Sequence, residues 1–290
     1  MMRVLILGAS GMLGSAMIRE LSRDSQLQVW GSLRSDADKA AFSSQIAEHL
    51  ISGVDVLNED QLTELFKRVA PQVAINCIGL VKQVKESEDE QKAMAINALL
   101  PHQLAKLCEQ YGARFIHFST DCVFSGTRGN YRETDIPDAQ DLYGRSKLLG
   151  ELDEPNTLTL RTSIIGHELH GSQGLLEWFL SQESTCKGFS KAIFSGLPTP
   201  VLASLVHELL VKPDLTGIYH VSSEPISKYN LLKAIAAQYG KKIDIVPSDE
   251  LVINRSLDSE RFSKQTGWVA PSWDAMIKTM YTDRAQHVQK

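Results

Sequence analysis

The sequence predicts an α/β fold: a doubly wound parallel sheet with a smaller, mixed α/β C-terminal lobe. Three observations predict it. Short apolar runs alternate with helix-period segments through the first half of the chain. A glycine-rich turn, Gly8-Ala9-Ser10-Gly11-Met12-Leu13-Gly14, directly follows the first apolar run. The second half loses the alternation, yet no linker or internal repeat separates it from the first.

The elements follow in order. Val4–Leu7 is a short buried-strand run and Met12–Leu21 a helix. Leu27–Trp30 is the second strand. Asn58–Val69 is a helix opened by an Asn cap with acidic residues in its first turn. Val73–Cys77 is a strand. Glu90–Tyr111 is a long helical stretch that Pro101 kinks or splits. Arg114–Ser119 is a strand, a helix lies near Ser146–Glu151, and Thr157–Arg161 is a further strand. The second half offers a helix near Gly174–Ser181, a Gly/Pro segment around Ser195–Pro200 and a helix at Leu202–Val211. A short strand at Gly217–Val221 and helices at Lys228–Tyr239 and near Trp273–Tyr281 complete it.

Composition excludes several classes. The net charge of −5 argues against nucleic acid, whose phosphates need clustered Lys and Arg. No run approaches the roughly 18 apolar residues of a membrane span, and no signal peptide is visible. Cys77, Cys108, Cys122 and Cys186 show no C-x-x-C spacing, so no metal site is expected. A cytoplasmic location is the expectation.

The turn reads G-x-x-G-x-x-G. Gly8 permits the tight turn, Gly11 lets backbone N–H groups approach a pyrophosphate, and Gly14 lets helix pack on strand. A ligand-free glycine turn is the bland alternative. Its place between the first strand and first helix favours a Rossmann-type dinucleotide site. At the end of the second strand stands Trp30-Gly31-Ser32-Leu33-Arg34-Ser35, with no carboxylate for a ribose hydroxyl. Arg34, with the hydroxyls of Ser32 and Ser35, suits a 2′-phosphate, so NADP(H) is favoured over NAD(H). Arg34 as a plain surface residue is the alternative, and Asp36 and Asp38 lie close by.

Tyr143-Gly144-Arg145-Ser146-Lys147 contains Tyr-x-x-x-Lys. On a helix the two share a face. An ammonium beside a phenol lowers the phenol's pKa from about 10 and makes it a proton donor to a carbonyl. Upstream, Thr120 ends a strand, where ligands of open α/β sheets sit. Ser119-Thr120-Asp121 could equally be a turn cap.

The chain resembles the extended short-chain dehydrogenase/reductase family, and within it the dTDP-4-dehydrorhamnose reductases. The residues that carry this are Ser119-Thr120-Asp121-Cys122-Val123-Phe124-Ser125-Gly126, Tyr131-Arg132-Glu133-Thr134-Asp135 and Tyr143–Glu151. Looser matches are Asn76–Gly79, Asn97, Leu160–Ser163, Gly196–Thr199, Gly217–Val221 and Ser256–Asp258. The resemblance implies reduction of a 4-keto group on a nucleotide-linked deoxysugar, in cell-surface polysaccharide biosynthesis. It implies Thr120, Tyr143 and Lys147 as catalytic residues, with Lys147 on the nicotinamide ribose. It also implies Gly8, Gly11, Met12, Leu13 and Gly14 as the pyrophosphate cradle, Asp55 and Val56 by the adenine, and Cys77, Ile78 and Gly79 by the cofactor's middle, with Ser10 and Ser119 counted among the cofactor residues. Asp121 and Ser163 would face the sugar. The domains would be 1–163 for cofactor and 164–290 for substrate, with 197–222 returning to the sheet. The family often dimerises, and the resemblance is compatible with a homodimer.

Three positions depart from the family pattern: Cys122 replaces a Tyr, Val84 an Asp, and Ile164–Glu168 lacks aromatic residues. Basic residues of the irregular half, Lys187, Lys191 and Arg255, are candidates for a nucleotide diphosphate, Arg255 first. Glu86–Glu90 is read as a solvated helix start, and His167 with His170 as loop residues rather than a metal pair. Two other functions stay open: an NAD-dependent sugar-nucleotide epimerase or dehydratase, and a non-catalytic dinucleotide-binding regulatory subunit.

Overall fold

The structure is a computed structural model that describes residues 1–80 and 89–288. Val84 and the first part of the acidic run, Glu86–Glu88, lie outside the described residues. Fourteen strands occur among the described residues: β1 Met2–Leu7, β2 Leu27–Ser32, β3 Leu50–Ile51, β4 Val73–Asn76, β5 Arg114–Thr120, β6 Thr157–Thr162 and β7 Ile164–Ile165, then β8 Thr185–Phe189, β9 Ala192–Phe194, β10 Leu197–Pro198, β11 Gly217–His220, β12 Ile226–Ser227, β13 Asp244–Ser248 and β14 Ile253–Asn254. The chain divides into two compact units. One comprises residues 1–119, 141–160 and 203–218; the other comprises 120–140, 161–202 and 219–290.

The first unit is built on a seven-stranded sheet in the order β11-β6-β5-β4-β1-β2-β3. β1 pairs in parallel with both β2 and β4, and β2–β3 and β4–β5 are parallel too. The chain thus winds outward from β1 in one direction and restarts at β4 in the other. The switch lies between the carboxyl ends of β1 and β4, the place where open α/β sheets bind ligands. Parallel strands covered on both faces read as continuous apolar runs. Val4, Leu5, Ile6 and Leu7 are accordingly all fully buried. Leu5, Leu7, Phe66, Leu104 and Phe115 form the centre of this core, each such side chain contributing about 1.5–3 kcal/mol.

Helix boundaries show where local chemistry prevails. Asn58 does cap Glu59–Val69, its Oδ1 accepting from Gln61 N at 3.1 Å. Asp89 caps the next helix through Lys92 N at 3.1 Å, so this end of the acidic run opens a helix. The expected long helix is three segments: Glu90–Ala93, a π-helical Met94–Leu99, and Leu100–Gln110. Pro101 stands at the start of the last one, where a missing N–H costs least. The helix expected near Ser146–Glu151 begins earlier, at Leu142, because Asp141 caps it through Gly144 N at 2.8 Å. Thr199–Leu210 likewise starts before Leu202, since Pro200 is tolerated in a first turn.

The second unit holds small sheets: β12-β9-β14, the parallel pair β13-β8 and the parallel pair β10-β7. Most have strands of two or three residues, too short to show a period. Leu176, Phe179, Leu231, Leu232, Ile235, Ile277 and Met280 form its core. Tyr131 bridges Leu257, and its ring stacks on Phe124 at 4.2 Å between centroids. Glu133 accepts from His220 N at 2.8 Å. Three family-like segments, at Tyr131, at His220 and at Leu257, are therefore one structural knot.

Candidate active site

The glycine turn is built to admit a ligand. Gly8 has φ +79°, closed to most side chains. A Cβ on Gly14 would lie 2.1 Å from Gly8 O, so only glycine lets this helix sit so close to the strand. Gly11 differs: the nearest atom to a Cβ there is Gly8 O at 3.4 Å. The protein itself does not demand glycine at 11; space for an approaching group does. Gly11 is also the cap of helix Met12–Leu21, and no side chain caps that end. The first-turn N–H groups, Met12 and Leu13 among them, are the donors an anion would take. Ser10 is partly buried in the turn. These features fit a dinucleotide's pyrophosphate. The two glycines should therefore separate on substitution. Gly11→Ala should keep its stability and lose most NADPH affinity in a fluorescence titration. Gly14→Ala should lose both, with about 1–3 kcal/mol of stability in urea unfolding. Equal stability of the two variants would refute this account.

Beyond β2 the three polar residues separate. Ser32 is buried and its Oγ accepts from Gly8 N at 3.2 Å, so this hydroxyl braces the glycine turn. Ser35 caps the turn at Asp36 by accepting from Ala37 N at 3.3 Å. Arg34 is exposed. The nearby carboxylate of Asp36 is engaged by Ser52 Oγ at 2.7 Å and Lys39 Nζ at 2.9 Å. Those hydrogen bonds, Ser52's first, hold its pKa below the usual value.

At the sheet's switch point, β4 leads into Cys77, Ile78 and Gly79. Ile78 Cγ1 would sit 2.7 Å from a Cβ on Gly8, so the loops after β1 and β4 are in contact. Cys77 N donates to Leu7 O at 3.0 Å, and burial pushes its thiol far up. Gly79 faces Asn97 and Lys147: a Cβ on it would lie 3.5 Å from Asn97 Oδ1 and 3.9 Å from Lys147 Nζ. Asp55 is exposed and its carboxylate accepts from Leu57 N at 3.0 Å, bracing its own turn, while Val56 packs partly buried against the core.

Tyr143 and Lys147 lie on one helix, four residues apart. Tyr143 is half-buried and Lys147 buried. Lys147 Nζ donates to Phe118 O at 2.7 Å, on β5. Ser119 Oγ, among the expected cofactor contacts, donates to Glu151 Oε1 at 2.5 Å. Desolvation lowers the Lys147 pKa to about 8, against the pull of Glu151. The unfolded chain keeps its proton up to the ordinary value near 10.5. Between these values the unfolded state binds more protons, so stability from this group rises with pH. We expect wild type to gain about 1–2 kcal/mol over Lys147→Met between about pH 7.5 and pH 9.5. Urea midpoints measure this; an unchanged difference would contradict the burial of a titrating ammonium.

In the sequence Asn76 and Asn97 stand out only as family-like matches, with no role assigned to the groups that fix this helix. Asn97, in the π-helical segment, accepts from Leu80 N at 2.9 Å and donates to Leu80 O at 3.1 Å and to Ser146 Oγ at 3.2 Å. Ser146 in turn donates to Tyr143 O at 3.0 Å. Asn76 Oδ1 accepts from Ile78 N at 3.0 Å, and its Nδ2 contacts His117 Nδ1 at 3.2 Å. His117 is buried, and desolvation first, then Lys147, keeps it neutral. An Asn on a helix and a His in a strand carry no local signal for such contacts.

In the second unit Thr120 caps the short turn Asp121–Val123, its Oγ1 accepting from Cys122 N at 3.1 Å. That hydroxyl donates to Asp121 Oδ1 at 3.2 Å, a bond it must release to serve a substrate oxygen. Burial raises the Asp121 pKa, against Arg255. Arg255 Nε donates to Phe124 O at 2.7 Å, and Nη1 lies 3.8 Å from Cys122 Sγ. Ser163 is partly buried, and its carbonyl accepts from Leu197 N at 2.8 Å. Lys187 and Lys191 pair with Glu250 and Asp249 at the surface. His167 is held by Glu177 at 2.5 Å and Tyr239 at 2.8 Å.

Comparison with known proteins gives this geometry a family. The model of the RmlD substrate binding domain matches residues 2–286. A probable low-salt glycan biosynthesis reductase of Haloferax volcanii is 28% identical over 88% of this chain and 84% of its own. Methionine adenosyltransferase 2 subunit beta of Xenopus laevis is 28% identical over 81% of this chain and 71% of its own. The crystal structure of a hypothetical dTDP-4-dehydrorhamnose reductase from Sulfolobus tokodaii superposes with a TM-score of 0.77, at 30% identity, covering 95% of this chain and 99% of that one. With the sheet order, the switch-point glycine turn and the Tyr-x-x-x-Lys helix, the chain belongs to the RmlD substrate binding domain family, within the extended short-chain dehydrogenase/reductase superfamily of NAD(P)-dependent oxidoreductases.

Proposed function

We propose that this protein is an NADPH-dependent reductase of a 4-keto group on a nucleotide-linked deoxysugar, acting in polysaccharide biosynthesis. The observation that carries the reading is the helix Leu142–Leu149, which holds Tyr143 one turn before a buried ammonium beside Gly79. The glycan-biosynthesis relative and the reductase of similar structure support the substrate class. The nicotinamide cofactor supplies the hydride. Tyr143 donates the proton to the 4-keto oxygen, and Thr120 gives that oxygen a second hydroxyl. Lys147 holds the ribose and keeps the phenol acidic. Asp121 and Ser163 read the sugar. Arg34 selects NADP(H), helped by the engagement of Asp36 elsewhere. Residues 1–163 form the cofactor domain and 164–290 the substrate domain. Among the described residues no helix is long and apolar enough to cross a membrane.

The test is stopped-flow NADPH oxidation with dTDP-, UDP- and GDP-linked 4-keto sugars. Turnover of one of them is expected; failure with all of them, together with no NADPH binding, would overturn the proposal. One observation favours a second reading. A relative of equal identity is a subunit of methionine adenosyltransferase, so a regulatory role on the same fold is the competitor. Tight NADPH binding with no turnover of any sugar nucleotide would select it.

A further inference from the structure

His117 is a costly residue for its place. It stands mid-way along β5, is 1% exposed, and stacks on Phe115 at 6.1 Å between ring centroids. Its Nε2 is buried and has no hydrogen-bond partner among the described residues. A buried polar atom left unpaired is unfavourable, and a phenyl ring of similar size would avoid it. The compensation lies at the other nitrogen, Nδ1, which is 3.2 Å from Asn76 Nδ2.

One fixed donor decides how this pair is arranged. Asn76 and His117 are register partners on β4 and β5, and Asn76 is the last residue of β4. Cys77 N still donates to Leu7 O on β1 at 3.0 Å. The next backbone donor, Ile78 N, turns back to Asn76 Oδ1 at 3.0 Å. A backbone N–H can only donate, so the amide atom facing it must be the oxygen. The amide nitrogen then faces His117, whose Nδ1 must accept, and the imidazole proton sits on Nε2. Inverting the Asn76 amide would oppose donor to donor at Ile78 and acceptor to acceptor at His117. The neutral ring therefore permits one orientation. Burial first, then the charge of Lys147, holds the ring neutral.

This orientation bears on the ligand end of the sheet. The bond to Ile78 N closes a turn that carries the chain out of β4. Ile78 Cγ1 would sit 2.7 Å from a Cβ on Gly8, and a Cβ on Gly79 would lie 3.9 Å from Lys147 Nζ. The two residues after Cys77 thus reach the glycine turn on one side and the Lys147 ammonium on the other. We infer that His117 is a positioning residue for the dinucleotide: its unprotonated Nδ1 fixes the Asn76 amide, and through it the loop after β4 that the cofactor packs against. The inference rests on the dinucleotide reading of the glycine turn and gives His117 no contact with the cofactor. The orphaned Nε2–H is what presenting an acceptor to Asn76 entails.

The test uses two substitutions that separate packing from polarity. His117→Phe keeps a ring and removes the acceptor. His117→Asn loses ring volume, but its Oδ1 can take the place of Nδ1. Both are titrated with NADPH and NADH by fluorescence, and both are unfolded in urea without cofactor. His117→Phe should weaken NADPH binding roughly 10-fold, as expected for one lost positioning hydrogen bond. His117→Asn should bind nearly as wild type does, although the cavity it leaves lowers its urea midpoint more than His117→Phe does. A packing role alone would make affinity follow stability, the reverse order. Nitrogen NMR of the cofactor-free wild type supplies a second arm. At about pH 7 the imidazole signal that His117→Asn abolishes should be that of a neutral ring protonated at Nε2. A ring protonated at Nδ1 overturns the inference. So does a Phe variant that binds NADPH like wild type, or an Asn variant that binds no better than the Phe variant; in these cases the dinucleotide reading stands. If wild type binds neither NADPH nor NADH, that reading and this inference fall together.

Discussion

Tyr143→Phe is expected to lower kcat about 10²–10⁴-fold while leaving NADPH affinity nearly intact. The substitution deletes one oxygen from a half-buried ring on a helix that is fixed elsewhere. Asp141 still caps the helix, Lys147 still donates to Phe118 O, and Ser146 still joins Tyr143 O to Asn97. The Tyr143 backbone carbonyl keeps its place in this network when the phenol oxygen is removed, so the helix should stay where it is. What disappears is the proposed proton donor. A fall in kcat with unchanged NADPH affinity is the outcome that isolates the chemical step. A Phe variant that keeps wild-type turnover would move the proton to another group. Lys147→Met must behave differently. It removes the proposed ribose contact and leaves Phe118 O without its Lys147 partner, so cofactor affinity should fall along with kcat.

What could be read from the sequence was set by distance along the chain. The glycine turn and Tyr-x-x-x-Lys are local patterns, and their spacings alone impose turn and helix-face geometry. The doubly wound parallel sheet followed from the alternation of strands and helices, whereas the order of its strands is known only from the structure. The polar scaffold behind the site was not legible in this way. Asn97 meets Leu80 and Ser146 across long stretches of chain, and His117 meets Asn76 across two strands. The bond from Gly8 N to Ser32 Oγ was hidden for a related reason: it joins the ends of two neighbouring strands and is a property of the folded sheet. The irregular half hid its short strands, since two residues cannot display a period of two.

Gly150→Ala should cost both stability and turnover although it touches neither cofactor nor substrate. The cause begins at Pro101. A residue there would ordinarily donate its N–H to the carbonyl of Asn97, four residues back; proline has none. The helix meets this with the π-helical segment Met94–Leu99, and the Asn97 carbonyl turns up against Gly150. A Cβ on Gly150 would lie 2.0 Å from Asn97 O and 3.1 Å from Pro101 Cγ. Neither a backbone carbonyl nor a proline ring can swing away as a flexible side chain does. The end of the helix Leu142–Leu149 must therefore move off the π-helical segment, stretching the Asn97–Ser146 bond and displacing Tyr143 and Lys147 together. We expect a loss of about 1–3 kcal/mol in urea unfolding, and about a 10²-fold loss of kcat from roughly an ångström of misplacement. Pairing the variant with Pro101→Ala tests the cause. A restored N–H can recapture the Asn97 carbonyl, so the double variant should recover part of both losses. Strictly additive effects would show that the helix is held against Asn97 by something other than the carbonyl that Pro101 releases.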